Sequence, residues 1–156
     1  MDARLTWAVR NNANWCDLVC RSHRIPTRFR PELWATAQPP PRFYPDAVTL
    51  QAHVAAEDVL AAISPHPGAS VKDSFATLDL GRHGFDELFE AELLRHPHVR
   101  FLAAHDQRVD IPAAVHAAFS NAALVGYERG PSLLAAIAAG FRDLGPLRVW
   151  LQPPAV

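Results

Sequence analysis

Ala122-Ala123-Leu124-Val125-Gly126-Tyr127, Glu128-Arg129-Gly130-Pro131, Ser132 through Phe141, and Gly145-Pro146-Leu147-Arg148-Val149-Trp150-Leu151 decide the fold. The first six residues have the composition of a strand. Pro131 suits the first turn of a helix, where its missing N–H is no loss. Leu133, Leu134, Ile137 and Phe141 recur at helical spacing and are expected to point inward. Gly145-Pro146 is expected to turn the chain into a last strand, Leu147–Leu151. Strand, helix and strand at these lengths form a crossover unit, right-handed if the strands are parallel neighbours.

Toward the N-terminus, Asp110 can cap a short helix through Phe119, with Ile111, Val115 and Phe119 at four-residue steps. Val99–Ala104 reads as a strand, and His96-Pro97-His98 as a break before it. Residues 85–94 fit two patterns. Phe85, Leu88, Phe89 and Glu92 make a helical stripe, whereas the Gly81–Gly84 turn would pair the segment back as a strand. Val71–Leu80 alternates as a strand, with Val71, Asp73, Phe75 and Thr77 on one face. Ala55–Ile63 is a helix with Val59, Leu60 and Ile63 inward, and Ser64-Pro65-His66-Pro67-Gly68 ends it. Ala47–Leu50 is a short strand.

Residues 24–44 hold Pro26, Pro31 and Pro39-Pro40-Pro41, and read as a proline-rich surface loop with one helical turn at Pro31–Ala35. Phe29, Trp34, Phe43 and Tyr44 are expected to pin it down. Asp2–Ser22 is a helix with Leu5, Val9, Asn12, Cys16, Val19 and His23 on one side. Trp7 and Leu18 lie nearly opposite, which predicts cover on two sides. Alternating elements of this kind predict one α/β domain over residues 1–156, a mixed central sheet flanked by helices.

Composition agrees with a folded domain and excludes several classes. The chain has 156 residues, a net charge of -1 and 49% apolar residues, enough to bury a core. That argues against disorder, a coiled coil, a disulfide mini-protein and a strongly basic nucleic-acid domain. No stretch reaches the roughly 18 apolar residues of a membrane span, and Met1–Arg10 lacks signal-peptide character. Lys72 is the only lysine among fifteen basic residues. Arginine abundance by itself carries no phosphate-binding implication. Cys16 and Cys20 stand four apart on one helix, a poor geometry for a disulfide. Reduced thiols imply a cytoplasmic protein.

Few residues point to chemistry. Cys16, Cys20 and His23, at i, i+4 and i+7, could hold zinc with a fourth ligand, though cysteines on an apolar stripe favour core packing. His105-Asp106 invites a general-base reading, but strand neighbours face opposite ways. Lys72 reads best as a solvent-facing edge residue. Asp73 shares a face with Val71 and Phe75, so in a core it needs hydrogen-bond partners. Gly126-Tyr127-Glu128-Arg129-Gly130 ends a strand and opens a helix, where backbone N–H groups can meet an anion. Gly126 there marks a bulge or a close approach to the backbone.

Two blocks resemble a known family. One is Trp15-Cys16-Asp17-Leu18-Val19-Cys20-Arg21-Ser22-His23 with Tyr44-Pro45-Asp46-Ala47-Val48-Thr49-Leu50, Val71-Lys72-Asp73-Ser74-Phe75 and Leu78-Asp79-Leu80. The other is Val125-Gly126-Tyr127-Glu128-Arg129-Gly130 through Gly140-Phe141 to Gly145-Pro146-Leu147-Arg148-Val149-Trp150-Leu151. Together they resemble bacterial proteins of the GNAT-type (N-acetyltransferase-like) family, shortened over Leu94–Ala123. The resemblance implies a GNAT-like mixed sheet that splays open to take acyl-CoA, and a strand rather than a helix at Phe85–Leu94. It implies acetyl-CoA as cofactor and a small amine as acceptor. Gly126 and Tyr127 would bind the cofactor, with Asp73, Lys72 and Glu128 as polar residues of the cleft. The family's pyrophosphate loop, Gln/Arg-x-x-Gly-x-Gly/Ala, has no counterpart. Tyr127 precedes the last helix, so the family's tyrosine acid is not carried onto it, and no catalytic residue is assigned. The expectation is a degenerate or non-catalytic GNAT relative that binds a small molecule or pairs with itself, with no nucleic-acid or membrane partner. Its alternatives are an acetyl-CoA-dependent N-acetyltransferase and, more weakly, a zinc-stabilised interaction domain.

Overall fold

Asp2 starts the structure, a computed structural model that describes residues 2–96 and 124–154. Its carboxylate accepts from the Arg4 amide at 2.8 Å and caps α1 (Ala3–Ser22). There follow β1 (Thr27–Phe29), β2 (Leu33–Thr36), β3 (Ala47–Thr49), α2 (Ala56–Leu60) and β4 (Ser70–Asp73). After a 3-10 turn at Gly81–His83 come β5 (Asp86–His96), β6 (Leu124–Glu128), α3 (Gly130–Ala138) and β7 (Arg142–Leu151). Among the described residues the strands form a mixed sheet in the order β1-β2-β3-β4-β7-β5-β6. The β3–β4 pair is parallel, and the other registered pairs are antiparallel. The chain is α/β, and no helix of the described residues is long and apolar enough to cross a membrane. The expected strand Val99–Ala104 and helix Asp110–Phe119 lie outside the described residues.

The chain forms two compact units, one of residues 1–91 with 146–156 and one of residues 92–145. In the first, cross-strand register sets two rows. Trp34, Val48, Lys72 and Val149 are neighbours across four strands, and Ala35, Ala47, Val71 and Trp150 are the next row. Successive residues face opposite sides, so the rows do too. The Trp34 row meets α1, because Trp34 Nε1 donates to Asp17 at 3.1 Å. Ala8, Val9, Ala13, Cys16 and Cys20 are the buried face of α1. The Ala35 row joins a core with Leu33, Val59 of α2, Leu78, Leu80 and Phe85. Arg148 of β7 binds Glu90 and, at 3.1 Å, Glu87, two carboxylates of β5.

Several expectations need correction. Residues 24–44 are not all loop, since β1 and β2 form a hairpin closed by the Arg30 amide donating to the Leu33 carbonyl at 2.7 Å. Pro31 sits in its turn, where no ladder donor is required. Trp34 is buried there, but Phe43 is 88% exposed and pins nothing. The helix after β3 stops at Leu60, short of Ile63. The strand from Val71 ends at Asp73, whose side chain takes amides that a ladder would have used. The last strand begins at Arg142 and runs through Gly145-Pro146. There Asp143 Oδ1 accepts from the Gly145 amide at 2.7 Å, so that donor needs no ladder partner. Trp7 and Leu18 of α1 stay exposed, as do Leu134 and Ile137 of α3. The strand expected at Phe85–Leu94 is present as β5.

In the second unit the far half of β5 pairs with β6, from Glu92 opposite Glu128 to His96 opposite Leu124. α3 packs on β6. The His96 ring stands edge-on to Phe141 at 5.2 Å. Gly140 has φ +95, and a Cβ there would lie 3.1 Å from His96 Nε2, so the Gly-Phe pair serves a close approach as well as a left-handed turn.

Candidate functional site

β4 brings Lys72 and Asp73 together in sequence and separates them in space. Lys72 is only 6% exposed, which corrects the edge-residue reading. It occupies the middle of the Trp34 row, and its ammonium donates to Asn12 Oδ1 of α1 at 3.4 Å. Its four-carbon stem lies among apolar neighbours while the head reaches a polar atom. Next to it on α1 is Cys16. Burial raises the Cys16 pKa, and the Lys72 charge offsets that in part. Cys20 is pushed up to about 11 by burial, then by the nearby Cys16, Asp17 and Asp46. Both thiols are free and stay protonated at neutral pH. His23 is exposed at the C-cap of α1. Among the described residues, no group of three or more His, Cys, Asp or Glu side chains is placed to hold a metal ion.

Asp73 is fully buried on the other face. Its Oδ1 accepts from Thr49 Oγ1 at 3.3 Å and the Phe75 amide at 3.2 Å, and its Oδ2 accepts from the Leu78 amide at 2.8 Å. Thr49 Oγ1 in turn accepts from the Ser74 amide at 2.8 Å. The carboxylate therefore staples the 74–78 turn to β3 and β4. A carboxylate committed to these donors is poorly placed to take a proton from a substrate.

Two more carboxylates, half-buried Asp17 and buried Asp46, do similar work, and sequence reasoning missed both. Asp17 of α1 accepts from Thr27 Oγ1 and Trp34 Nε1, which ties α1 to the β1–β2 hairpin. Asp46 precedes β3. Its Oδ2 accepts from the Ser70 amide at 2.8 Å, and its Oδ1 meets His66 Nε2 at 2.8 Å. His66 Nδ1 meets the Pro67 carbonyl at 3.0 Å. A carboxylate and a carbonyl only accept, and both ring nitrogens donate only in the imidazolium, so the two contacts favour the protonated ring. Burial lowers the His66 pKa, but the Asp46 hydrogen bond, the Pro67 carbonyl and the Asp46 charge outweigh it, and the net shift is upward. The only sequence signal was a histidine between two prolines. Its partner twenty residues earlier was not visible.

Gly126, Tyr127 and Glu128 are consecutive in β6, in the second unit, whereas Lys72 and Asp73 belong to the first. The ladder runs unbroken past Gly126, which pairs with Leu94, so there is no bulge. Among the described residues, a Cβ at Gly126 would meet nothing within 4 Å. Tyr127 and Glu128 are exposed. Gly130 has φ +55, a backbone angle that favours glycine, and it opens α3 with Pro131 behind it. Among the described residues, no side chain caps that helix. His98, His105 and Asp106 lie outside the described residues. Comparison with protein-family models, curated proteins and solved structures found no match.

Proposed function

We propose that this chain is a GNAT-like domain that binds a ligand without transferring an acyl group. One observation carries the reading. Buried Asp46 and Asp73 and half-buried Asp17 are each engaged by donors from the fold itself. The adjacent thiols are held protonated, and Lys72 lies beneath α1. General-base catalysis needs a basic atom within reach of a substrate proton, and these groups are turned to structural partners. Support for the GNAT-like label is the β6–α3–β7 succession with Gly140-Phe141 after the helix, the strand β5, and the mixed sheet.

The second reading is an acetyl-CoA-dependent N-acetyltransferase acting on a small amine. It is supported by the start of α3 after Gly130, which no side chain caps among the described residues, and by Gly126, where no described atom lies within 4 Å of a Cβ, beside exposed Tyr127. Thermal-shift titration with acetyl-CoA, with desulfo-CoA and ADP as controls, separates the two. A ligand that binds only the folded chain must raise its melting temperature. The first reading expects no saturable shift with acetyl-CoA at millimolar concentration. A saturable shift shared with desulfo-CoA, followed by acetyl transfer to an amine, establishes the second.

A further inference from the structure

We propose that a cleft beside β1 binds a small organic anion, a carboxylate or phosphate monoester carried on a short apolar body. The site lies wholly in the first unit and does not rest on the GNAT-like reading. β1 is an edge of the sheet. On one side it is fastened to α1, through Thr27 on Asp17 and through Arg10, whose guanidinium lies 4.2 Å from the centre of the Phe29 ring. Alternation sends Arg28 and Arg30 to the opposite side, and there both line a cleft of about 340 Å³.

Small residues create this space. Arg28 stands opposite Ala35 on β2, and Ala61 and Ala62 close the cleft from the end of α2, with Leu33 as apolar floor. Residues two apart on a strand are separated by roughly 6–7 Å, so both guanidinium groups can reach one anionic head. Among the described residues neither has an ion-pair partner. Charges on an edge strand discourage pairing with another chain, and that explains the arginines alone. It does not explain an apolar-floored cavity beneath them. An arginine pair over a cleft lined by Leu33, Ala35, Ala61 and Ala62 beside Thr27 and Thr36 matches a ligand with an anionic head and a short apolar body, because guanidinium binds carboxylate and phosphate in a planar fork.

The test is an amide NMR titration of the isotope-labelled chain at fixed ionic strength. The probes are hexanoate, butyl phosphate, neutral hexanamide and inorganic phosphate. The expected result is saturable shifts from hexanoate or butyl phosphate, centred on the amides of Arg30, Leu33, Ala35, Ala61 and Ala62. The tighter of the two identifies the head group. Hexanamide and inorganic phosphate should bind at least about tenfold more weakly, each lacking half of the complement. Arg28→Gln with Arg30→Gln should weaken binding by about tenfold or more with the melting temperature unchanged. Ala61→Leu, which fills the cleft from an exposed position, should abolish it. Shifts spread over arginines elsewhere would overturn the proposal, as would equal binding by the double variant or by inorganic phosphate. So would shifts at β1 that follow protein concentration instead of ligand, which would make the edge a contact between two copies.

Discussion

The two faces of the sheet in the first unit differ in how they handle polar groups. The face toward α2 is an apolar cluster interrupted by Asp73, and that carboxylate is surrounded by donors from β3 and the turn after β4. Toward α1, Lys72 and Asp46 on the sheet side meet the face of α1 that carries Cys16, Asp17 and Cys20, with Asn12 and His66 as partners. There Asp17, Asp46 and Lys72 hydrogen-bond to elements far apart in sequence. A buried carboxylate with a full set of donors fixes local backbone, while a buried ammonium bonded to a distant element holds two elements together and can be replaced by a well-packed apolar group.

That contrast can be broken by substitution. Asp73→Ala should cost the most, about 3–5 kcal/mol in denaturant unfolding, because it leaves the buried Leu78 amide, the half-buried Phe75 amide and the buried Thr49 hydroxyl without their acceptor. A loss below 1 kcal/mol would show that the turn does not depend on its staple. Asp17→Ala should cost about 2 kcal/mol, since the buried Trp34 indole N–H loses its acceptor. Trp34→Phe in that background should recover part of the loss.

His66 should make stability depend on pH. Its folded pKa lies above the ordinary 6.5, so folding favours the charged ring. The contribution is fully present below pH 6.5 and is lost as the pH rises through the folded value. His66→Gln should flatten that fall, measured as melting temperature from pH 5 to pH 9. Lys72→Met should change stability by less than about 1 kcal/mol, as the stem is replaced by a side chain of similar size and the buried charge is removed. A large loss would place Lys72 among the indispensable polar groups and erase the difference between the faces. Phe43→Ala, at an exposed position, should stay within about 0.5 kcal/mol.

Periodicity located the elements whose length exceeds their own period. α1 over Ala3–Ser22 and the β6–α3 succession follow from spacing and, for α3, from Pro131. It failed where elements are shorter than one readable repeat. β1 and β2, with three and four residues, lay hidden among prolines. β4 was read too long because the apolar alternation continues past Asp73, where side-chain hydrogen bonds end the ladder. The strand at β5 came from the family resemblance, since its spacing suits a helix equally well. Among site residues, Asp73 was recognised as a carboxylate that would need partners. Lys72 was misplaced because a lone lysine in a strand ordinarily faces water. Asp17, Asp46 and His66 were invisible as a set, because hydrogen bonds between residues 10 to 20 positions apart leave no local pattern.

The most direct test of the central claim, that the buried polar groups serve the fold instead of acyl transfer, is thiol release from acetyl-CoA in the presence of a panel of small amines. The account predicts release no faster than in the protein's absence. Saturable, amine-dependent turnover that scales with protein concentration would contradict it.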